Sequence, residues 1–355
     1  MLRRRTFSKK GNSGKYQTCY ADGGYCTSSD YGKTWKTLKD TNNGNSGNHD
    51  IVMSADGRIQ FYSGRQLSVS TDYGNTWKKG FGPSGIPVAS VMSADGRYIA
   101  SVYTTALYVS SDYGNTWNNS YTFPAEFSIT KNRDALAMSA DGKYMAATLY
   151  KNNIHVSSDY GKTWRKTDNT YNAGRNGAVK VSADGKYMSA CLGMTGMYVS
   201  TDYGSTWKNV YSGNDEWMGL AMSSDGKYII GRASIYNNVT VVSSDYGSTW
   251  NRLHGSFPYT NIEMSSDGRY LLSYYVQDYY GHVYFSSDYG STWKEILAGQ
   301  ATEVRDCAVS ADGRYMTIVL GRYSEFCYIT SDYGTTWQKS NFGTLTGTYR
   351  VTMNR

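Results

Sequence analysis

One phrase of eight residues, Ser-x-Asp-Tyr-Gly-x-Thr-Trp, occurs eight times in this chain of 355 residues and constrains its fold more than any other feature. Successive copies are 40 to 47 residues apart, and only the first position varies, to Thr330 in the last copy. A period of about 40 to 45 residues is typical of the blades of a β-propeller. Every copy of the phrase contains one aspartate and one tryptophan. The aspartates are Asp30, Asp72, Asp112, Asp159, Asp202, Asp245, Asp288 and Asp332, and the tryptophans are Trp35, Trp77, Trp117, Trp164, Trp207, Trp250, Trp293 and Trp337.

A second phrase, Ser-Ala-Asp-Gly-Arg-Tyr or a near relative, alternates with the first and occurs seven times. Asp-Gly between alternating apolar and polar runs is a strong hairpin signal, because both central residues of the turn need a positive φ. Short runs of β-branched and aromatic residues separate the phrases, and no segment shows sustained helical periodicity. The sequence therefore predicts an all-β chain: a single eight-bladed β-propeller of four-stranded antiparallel blades.

The missing eighth Asp-Gly phrase predicts how the ring closes. Residues 14–40 match the later part of a repeat unit, and residues 348–353 match its beginning, as if one blade were cut within its Asp-Gly turn. We expect the C-terminal strand to join the N-terminal blade and to close the ring, as in other closed β-propellers. Residues 14–355 would then form the propeller, and residues 1–13 a basic N-terminal arm.

The first phrase resembles the Asp-box of the bacterial neuraminidase repeat (BNR) propellers, and the resemblance extends over residues 14–353. It implies that the box is a turn between the third and fourth strands, away from the ligand face, so that its aspartates and tryptophans are structural. Within the turn we expect the carboxylate to accept backbone N–H groups and glycine to supply the left-handed residue. The tryptophan is expected to fill the space between blades.

The sialidases of that family carry catalytic motifs that this chain lacks. An Arg-Ile-Pro start is typical of them, whereas residues 85–87 read Gly-Ile-Pro. The resemblance therefore implies a sialidase-like fold without the sialidase catalytic motifs, and we predict no catalytic residue. Two functions stay open: a non-catalytic recognition or assembly propeller that binds a glycan or protein surface, or a glycoside hydrolase that uses carboxylates and arginines.

The two repeated turns of each blade should project from one side of the ring, here called the lower face, and the variable connections from the opposite, upper face. Variable loops on a rigid scaffold commonly hold the functional residues, so ligand binding is expected there. Trp217, with Glu216 and Tyr259, is one candidate patch; alternatively, Trp217 merely covers an inner strand. The full set of candidate ligand-binding residues is Trp217, Glu216, Tyr259, Arg133, Arg175, Glu263, Asp306, Arg350 and Asp50.

The innermost strands alternate between blade packing and the central channel, because side chains of a strand alternate between its faces. Asp306, Arg350 and Asp50 fall at the same position of three successive inner strands, four residues before the turn. They are interpreted either as a channel wall neutralised by ion pairs or as the mouth of an anion or ligand site. The tyrosine of each box likewise leaves two alternatives: a ring of surface contacts, or packing against the tyrosine of the neighbouring Asp-Gly phrase.

The composition limits the classes of partner and cofactor that the sequence predicts. The net charge is +7, but the basic residues that follow the Asp-Gly turns mostly have an aspartate two positions earlier, so nucleic acid is an unlikely partner. Four scattered histidines show no metal-ligand spacing, and no cofactor motif is present. No signal peptide or membrane-spanning stretch is recognisable, which leaves localisation and oligomeric state open. Cys19 and Cys26 would lie opposite each other in one hairpin, so one disulfide could form in an oxidising compartment, although this pairing class disfavours it.

Overall fold

The computed structural model describes residues 13–21, 24–39, 50–64, 66–80, 82–123, 133–149, 153–167, 177–211, 217–233, 239–253, 261–277, 280–299, 303–321, 326–342 and 348–355. These residues form eight four-stranded antiparallel sheets, which are the blades of one propeller. In seven blades the first strand in sequence lies innermost and the fourth outermost, and in the blade that contains both ends of the described chain the last strand of the chain is innermost. The all-β, eight-bladed prediction is confirmed. The N-terminal arm, up to residue 12, lies outside the described residues and stays a prediction.

The first four blades contain the following strands. Blade 1 has β1 (Gln17–Ala21), β2 (Gly24–Ser28), β3 (Lys36–Lys39) and the last strand, β32 (Thr348–Met353). Blade 2 has β4 (Asp50–Met53), β5 (Gln60–Ser63), β6 (Ser68–Ser70) and β7 (Lys78–Lys79). Blade 3 has β8 (Ala89–Met92), β9 (Ile99–Val102), β10 (Ala106–Ser110) and β11 (Asn118–Thr122). Blade 4 has β12 (Leu136–Met138), β13 (Met145–Leu149), β14 (Asn153–Ser157) and β15 (Arg165–Lys166), preceded by a short 3-10 helix, Arg133–Ala135.

The last four blades follow the same plan. Blade 5 has β16 (Gly177–Val181), β17 (Met188–Leu192), β18 (Met197–Ser200) and β19 (Lys208–Tyr211), with a 3-10 turn at Gly193–Thr195. Blade 6 has β20 (Trp217–Met222), β21 (Ile229–Ala233), β22 (Thr240–Ser243) and β23 (Asn251–Leu253). Blade 7 has β24 (Asn261–Met264), β25 (Leu271–Gln277), β26 (Tyr280–Ser286) and β27 (Lys294–Ile296). Blade 8 has β28 (Val304–Val309), β29 (Met316–Leu320), β30 (Phe326–Thr330) and β31 (Gln338–Asn341).

Ring closure takes place inside one tight turn, as predicted. Strand β32 pairs antiparallel with β1, with Gln17 opposite Met353. Asn354 occupies the place of the turn serine: its Oδ1 accepts the backbone N–H of Tyr16 at 2.8 Å, and its carbonyl accepts that of Gly14 at 2.9 Å. In blade 3 the corresponding serine, Ser93, accepts the N–H groups of Tyr98 and Gly96 with nearly the same distances. The two ends of the described chain thus rebuild one ordinary turn.

A chain of backbone hydrogen bonds links the blades around the lower end of the channel. The residue after each turn serine donates its N–H to the carbonyl of the equivalent residue in the next blade, as Ala94 does to Ala140 at 2.8 Å. The N–H of Ala311 ends this series on the Ser13 hydroxyl, and the Asn354 amide donates to the carbonyl of Ala55. Blade 1 therefore joins the ring through side chains where the other blades use backbone. The remaining members of the series are Ala55, Ala183, Ser224 and Ser266.

The Asp-box turns hold themselves together with a network that every copy repeats. In blade 5 the Asp202 carboxylate accepts the Thr206 N–H at 2.9 Å, the Thr206 hydroxyl at 2.6 Å and the Ser200 hydroxyl at 2.8 Å. The Ser200 oxygen in turn accepts the N–H of Gly204 at 3.0 Å. The equivalent bonds recur in the other seven boxes. These carboxylates are fully used within their own turns, which is the structural role expected of them.

The box tyrosine, as well as the glycine, adopts the left-handed conformation. All eight have φ between 59° and 67°, which costs a non-glycine residue about 1 kcal/mol or more. Seven of these rings stack on the tyrosine that follows the Asp-Gly turn of the neighbouring blade, at centroid distances of 4.1 to 5.2 Å. The eighth, Tyr113, faces a seam where Ile59 replaces that tyrosine. The packing alternative for the box tyrosines is confirmed.

The hydrophobic core lies mainly in the seams between blades. Box tryptophans contribute to it from the later blade of a pair: Trp77 stacks on Tyr25 at 4.5 Å, and Trp117 packs with Phe61 and Leu67. Cys19 and Cys26 lie directly opposite each other as free, buried thiols. Burial, together with the neighbouring Cys26 thiol, holds the pKa of Cys19 well above its usual value. Deep burial keeps such thiols protonated and unreactive.

Candidate functional site: the central channel

The inner strands of the eight blades surround an axial cavity of about 620 Å³. This size suits a small ligand or the end of a peptide. Its wall combines the apolar residues of the inner strands with charged side chains from several blades. The charged residues that line it are Asp50, Asp134, Lys180, Glu263, Asp306 and Arg355.

At the upper level of the cavity, two carboxylates fasten one blade to the next. Asp50 accepts the backbone N–H of Ser90, in the following blade, at 3.1 Å and that of Ile51 at 2.9 Å. Asp306 accepts the N–H of Val351, again in the following blade, at 3.2 Å. Both are therefore anchored to the wall by the geometry of adjacent inner strands.

Two ion pairs also lie on the channel wall. The Lys180 ammonium lies 2.6 Å from Asp134, and the Arg355 guanidinium lies 2.6 Å from Glu263, which is two blades away. Burial alone would lower the pKa of Lys180, but the carboxylates of Asp134 and Glu263 raise it above its usual value. Burial raises the pKa of Glu263, and the charges of Arg355 and Lys180 only partly oppose this. The four side chains form one electrostatic group across the bore.

The structure places some of the predicted site residues at the cavity, places others elsewhere, and leaves the rest outside the described residues. Asp50, Glu263 and Asp306 line the cavity, whereas Arg350 is half-buried in β32 and is not among the lining residues. Arg133 begins the short 3-10 helix at the upper end of blade 4. Arg175, Glu216 and Tyr259 lie outside the described residues, so their role in binding stays a prediction.

Trp217 does not form an exposed platform. Its side chain is 0% exposed, lies among Met197 and Val241 in the seam between blades 5 and 6, and meets Tyr211 edge-on at 5.2 Å. The register of β20 shifts between Trp217 and Gly219, and such a bulge moves the residues beyond it to the opposite face of the strand. The structure therefore agrees with the alternative in which this indole is part of the core.

Sequence reasoning did not select Asp134, Lys180 and Arg355. Lys180 stands two residues before its turn serine, like Glu263, and this shared position was the available signal. Arg355 occupies the place of the small residue after the turn serine, which is alanine or serine in the other blades. The pairing of Arg355 with Glu263 could not be read from the sequence, because it joins residues 92 positions apart across an open bore.

The upper ends of the blades also contain buried polar atoms without a hydrogen-bond partner in the described structure. They include the Tyr103 hydroxyl, the Thr148 hydroxyl, the Trp217 Nε1 and the Arg305 Nε. Buried polar atoms nearly always have a partner in folded proteins. Burial raises the pKa of Tyr103 far above its usual value, with a smaller contribution from Tyr108.

The described residues contain no group of three His, Cys, Asp or Glu side chains that could hold a metal ion. No helix among them is long and apolar enough to span a membrane.

Comparison with known proteins supports this architecture. The model of the BNR-Asp box repeat matches residues 27–38 and 154–167, whereas no curated protein sequence matches the chain. A structure of YCF48 bound to D1 peptide is similar with a TM-score of 0.52 and 16% identity, over 74% of this chain and 85% of that one. YCF48 from Cyanidioschyzon merolae gives 0.52 and 14%, over 74% and 88%.

A crystal structure of the eukaryotic initiation factor is similar over 97% of this chain and 99% of that one, with a TM-score of 0.56 and 10% identity. At such identities the likeness concerns the fold alone. Together with eight complete box turns and a ring of eight blades, these matches define the architecture. The chain is an eight-bladed β-propeller that carries BNR-Asp box repeats.

Proposed function

We propose that this propeller is a non-catalytic recognition or assembly module that binds an exposed segment of a partner protein at the upper mouth of its central channel. Among the described residues, the inner strands of all eight blades and the charged side chains of the channel lie together there. A rigid scaffold of this kind reduces the entropy lost on binding, because the groups that contact the ligand are already in position.

One observation supports binding over hydrolysis: the channel carboxylates already serve structural partners. Asp50 and Asp306 accept backbone N–H groups of the next blade, and Asp134 and Glu263 form ion pairs with Lys180 and Arg355. A glycoside hydrolase needs two carboxyl groups that are free to exchange protons with, or attack, the substrate. Groups committed to holding the ring together are poorly suited to that role.

The structural comparison gives a precedent by analogy. The solved structure of YCF48, a propeller of similar fold, is of that protein bound to D1 peptide. Peptide recognition is thus compatible with this architecture, although fold alone does not determine function.

Selection from a random dodecapeptide phage library tests the proposal. We expect enriched peptides to compete for one site and to bind the Lys180→Gln variant at least about tenfold more weakly, a loss of about 1.4 kcal/mol. Lys186→Gln, which removes the same charge from the lower face of the same blade, should change affinity less than about twofold. Failure to enrich any peptide, or equal weakening by both substitutions, would contradict binding at the channel mouth.

The hydrolase alternative is tested by a panel of fluorogenic glycosides that includes a sialoside. We expect no turnover above that of a heat-denatured control. Turnover that disappears in the Glu263→Gln variant, while the folded structure and its thermal midpoint are retained, would replace the binding proposal with glycoside hydrolysis.

A further inference from the structure

The outer rim of the propeller carries the positive charge of the protein. Every fourth strand begins immediately after the box tryptophan, with two polar residues. Of these sixteen residues nine are Lys or Arg and one is Glu, so they carry a net charge of +8, compared with +7 for the whole chain. We call these sixteen residues the rim belt: 36–37, 78–79, 118–119, 165–166, 208–209, 251–252, 294–295 and 338–339.

The rim belt is accessible. Each fourth strand is hydrogen-bonded to a neighbour on one side only and forms the outer edge of its blade. All belt residues except Thr37 and Lys79 are exposed. The single acid, Glu295, is engaged by His282 at 2.7 Å. Arg165 reaches across the groove between blades and donates to the carbonyl of Gly204 in the next blade at 2.8 Å. Cations thus follow one another around the circumference.

Protection of the sheet edges explains part of this pattern, because charged side chains on an edge strand, lysine especially, prevent pairing with other chains. In addition to that role, the belt places nine positive charges and one negative charge on the rim of a single ring. The basic residues of the lower turns differ, since each of them that follows an Asp-Gly pair has a carboxylate two positions away. A surface whose charges are mostly of one sign raises the local concentration of anions.

We propose that the rim belt binds an acidic polysaccharide, a glycan chain that carries sulfate or carboxylate groups in its repeat. In three blades a cation stands beside an Asn or Gln side chain, at Asn209, Asn251 and Gln338, and such amides can donate and accept hydrogen bonds with sugar hydroxyls. Single-stranded nucleic acid usually also stacks its bases on exposed aromatic rings. The aromatic residues of the described outer strands, Tyr121 and Tyr211, are partly buried against Phe123 and Trp217.

The test compares two variants with the same change of net charge in the same three blades. The belt variant carries Lys166→Glu, Lys208→Glu and Arg252→Glu, and the control variant carries Lys143→Glu, Lys186→Glu and Lys227→Glu in the lower turns. The probe is a fluorescein-labelled heparin oligosaccharide, measured by fluorescence anisotropy at several salt concentrations. A neutral dextran oligosaccharide and a single-stranded DNA of similar length serve as comparison ligands.

We expect wild type to bind heparin and not dextran, and the belt variant to bind at least about tenfold more weakly at 100 mM salt. The slope of log K against log salt should decrease in magnitude by about two to three, because about 0.7 to 0.9 counterions are released per neutralised charge. The control variant should lose less than about threefold. If Glu substitutions prevent folding, the corresponding Gln variants provide the same comparison with half the charge change.

Equal losses in both variants would overturn the proposal, since net charge alone would then explain binding. Binding of DNA as tight as that of heparin, with the same loss in the belt variant, would assign the belt to nucleic acid instead of a glycan. The rim belt lies apart from the channel mouth, so either result leaves the proposed peptide site untouched. Conversely, a failed peptide selection would not affect the heparin measurement.

Discussion

The lower and upper ends of the propeller differ in how the polar groups at the ends of the strands are hydrogen-bonded. At the lower end, the serine, aspartate and threonine side chains of each turn satisfy one another locally through the same bonds in all eight boxes, although the buried Trp337 Nε1 of the last box has no partner in the described structure. At the upper end, the described blades retain buried polar atoms, such as the Tyr103 hydroxyl, without partners in the described structure. The difference shows that the repeat specifies a scaffold from below and leaves the upper end free to vary.

Acidification should lower the stability of the lower end more than any single substitution does, because it acts on all eight boxes at once. Although burial acts in the opposite direction, hydrogen bonds from Thr330 and Thr336 hold the pKa of Asp332 at about 2, and the other box carboxyls are also lowered. A lowered pKa in the folded state gives stability that is complete above the unfolded value near 4 and is lost as pH falls through the folded value.

We therefore expect thermal midpoints to be nearly constant from pH 7 to pH 5 and to fall steeply between pH 4 and pH 2. Differential scanning calorimetry at half-unit intervals measures this. Glu263 in the channel should have the opposite effect on stability as the pH falls. Because its pKa is raised in the folded state, its protonation favours the folded state. Midpoints that decline equally in wild type and in a variant with several boxes changed from Asp to Asn would contradict the assignment to the boxes.

Removal of the buried indole at the upper end tests whether Trp217 belongs to the scaffold. Trp217→Ala should lower the free energy of unfolding by about 3 to 5 kcal/mol, because it opens a large cavity in a packed seam. Chemical denaturation measures the loss, and Trp217→Phe serves as a control that retains part of the volume. Normal stability combined with lost ligand binding would instead make Trp217 a surface contact.

Removal of one box carboxylate at the lower end should cost less. Asp202→Ala should lower the free energy of unfolding by about 2 kcal/mol, since the Thr206 N–H and hydroxyl lose a charged acceptor. Ser205→Ala, an exposed change in the same turn, should lie within about 0.5 kcal/mol of wild type. Equal effects of the two substitutions in urea titrations would show that the box network contributes little.

The smallest effect is expected at a seam tyrosine. Tyr98→Ile copies the natural exception at Ile59 and removes the stack on Tyr160 and the contact with the Arg97 guanidinium, at a cost of about 1 kcal/mol. The reverse change, Ile59→Tyr, should stabilise the protein by a similar or smaller amount through stacking on Tyr113. Urea midpoints measure both, and a stabilising Tyr98→Ile would show that relief of other strain outweighs stacking.

The fold could be predicted because its determinants are local and recur in nearly every repeat of the sequence. Asp-Gly turns, box turns and strand alternation each act within a few residues, so a single repeat is nearly sufficient to define a blade. Even the closure inside a turn followed from comparing residues 14–40 and 348–353 with a complete unit. The left-handed box tyrosines were not anticipated, because bulky residues rarely adopt a positive φ. Tyr113 shares this conformation although it faces Ile59 instead of a tyrosine, so the conformation belongs to the turn itself.

The candidate site could be predicted only in part, because its geometry depends on contacts between blades. The two-residue period correctly placed Asp50, Glu263 and Asp306 at the channel. The same period also placed Arg350 at the channel, but Arg350 does not line the cavity, and the pairing of β32 with β1 shifts register beside it, between Tyr20 and Ala21. The pairing of Glu263 with Arg355 depends on the width of the bore, which no short sequence pattern encodes.

The rebuilt turn that joins Asn354 to Gly14 and Tyr16 affects where along the ring the polypeptide chain can begin and end. Since eight nearly equivalent turns surround the axis, the point at which the backbone is interrupted is interchangeable among them. A circular permutant that connects residues 355 and 13 and begins at another Asp-Gly pair, such as Asp225–Gly226, would contain the same blades in the same order. The ring, and not its starting point, is what the repeats encode.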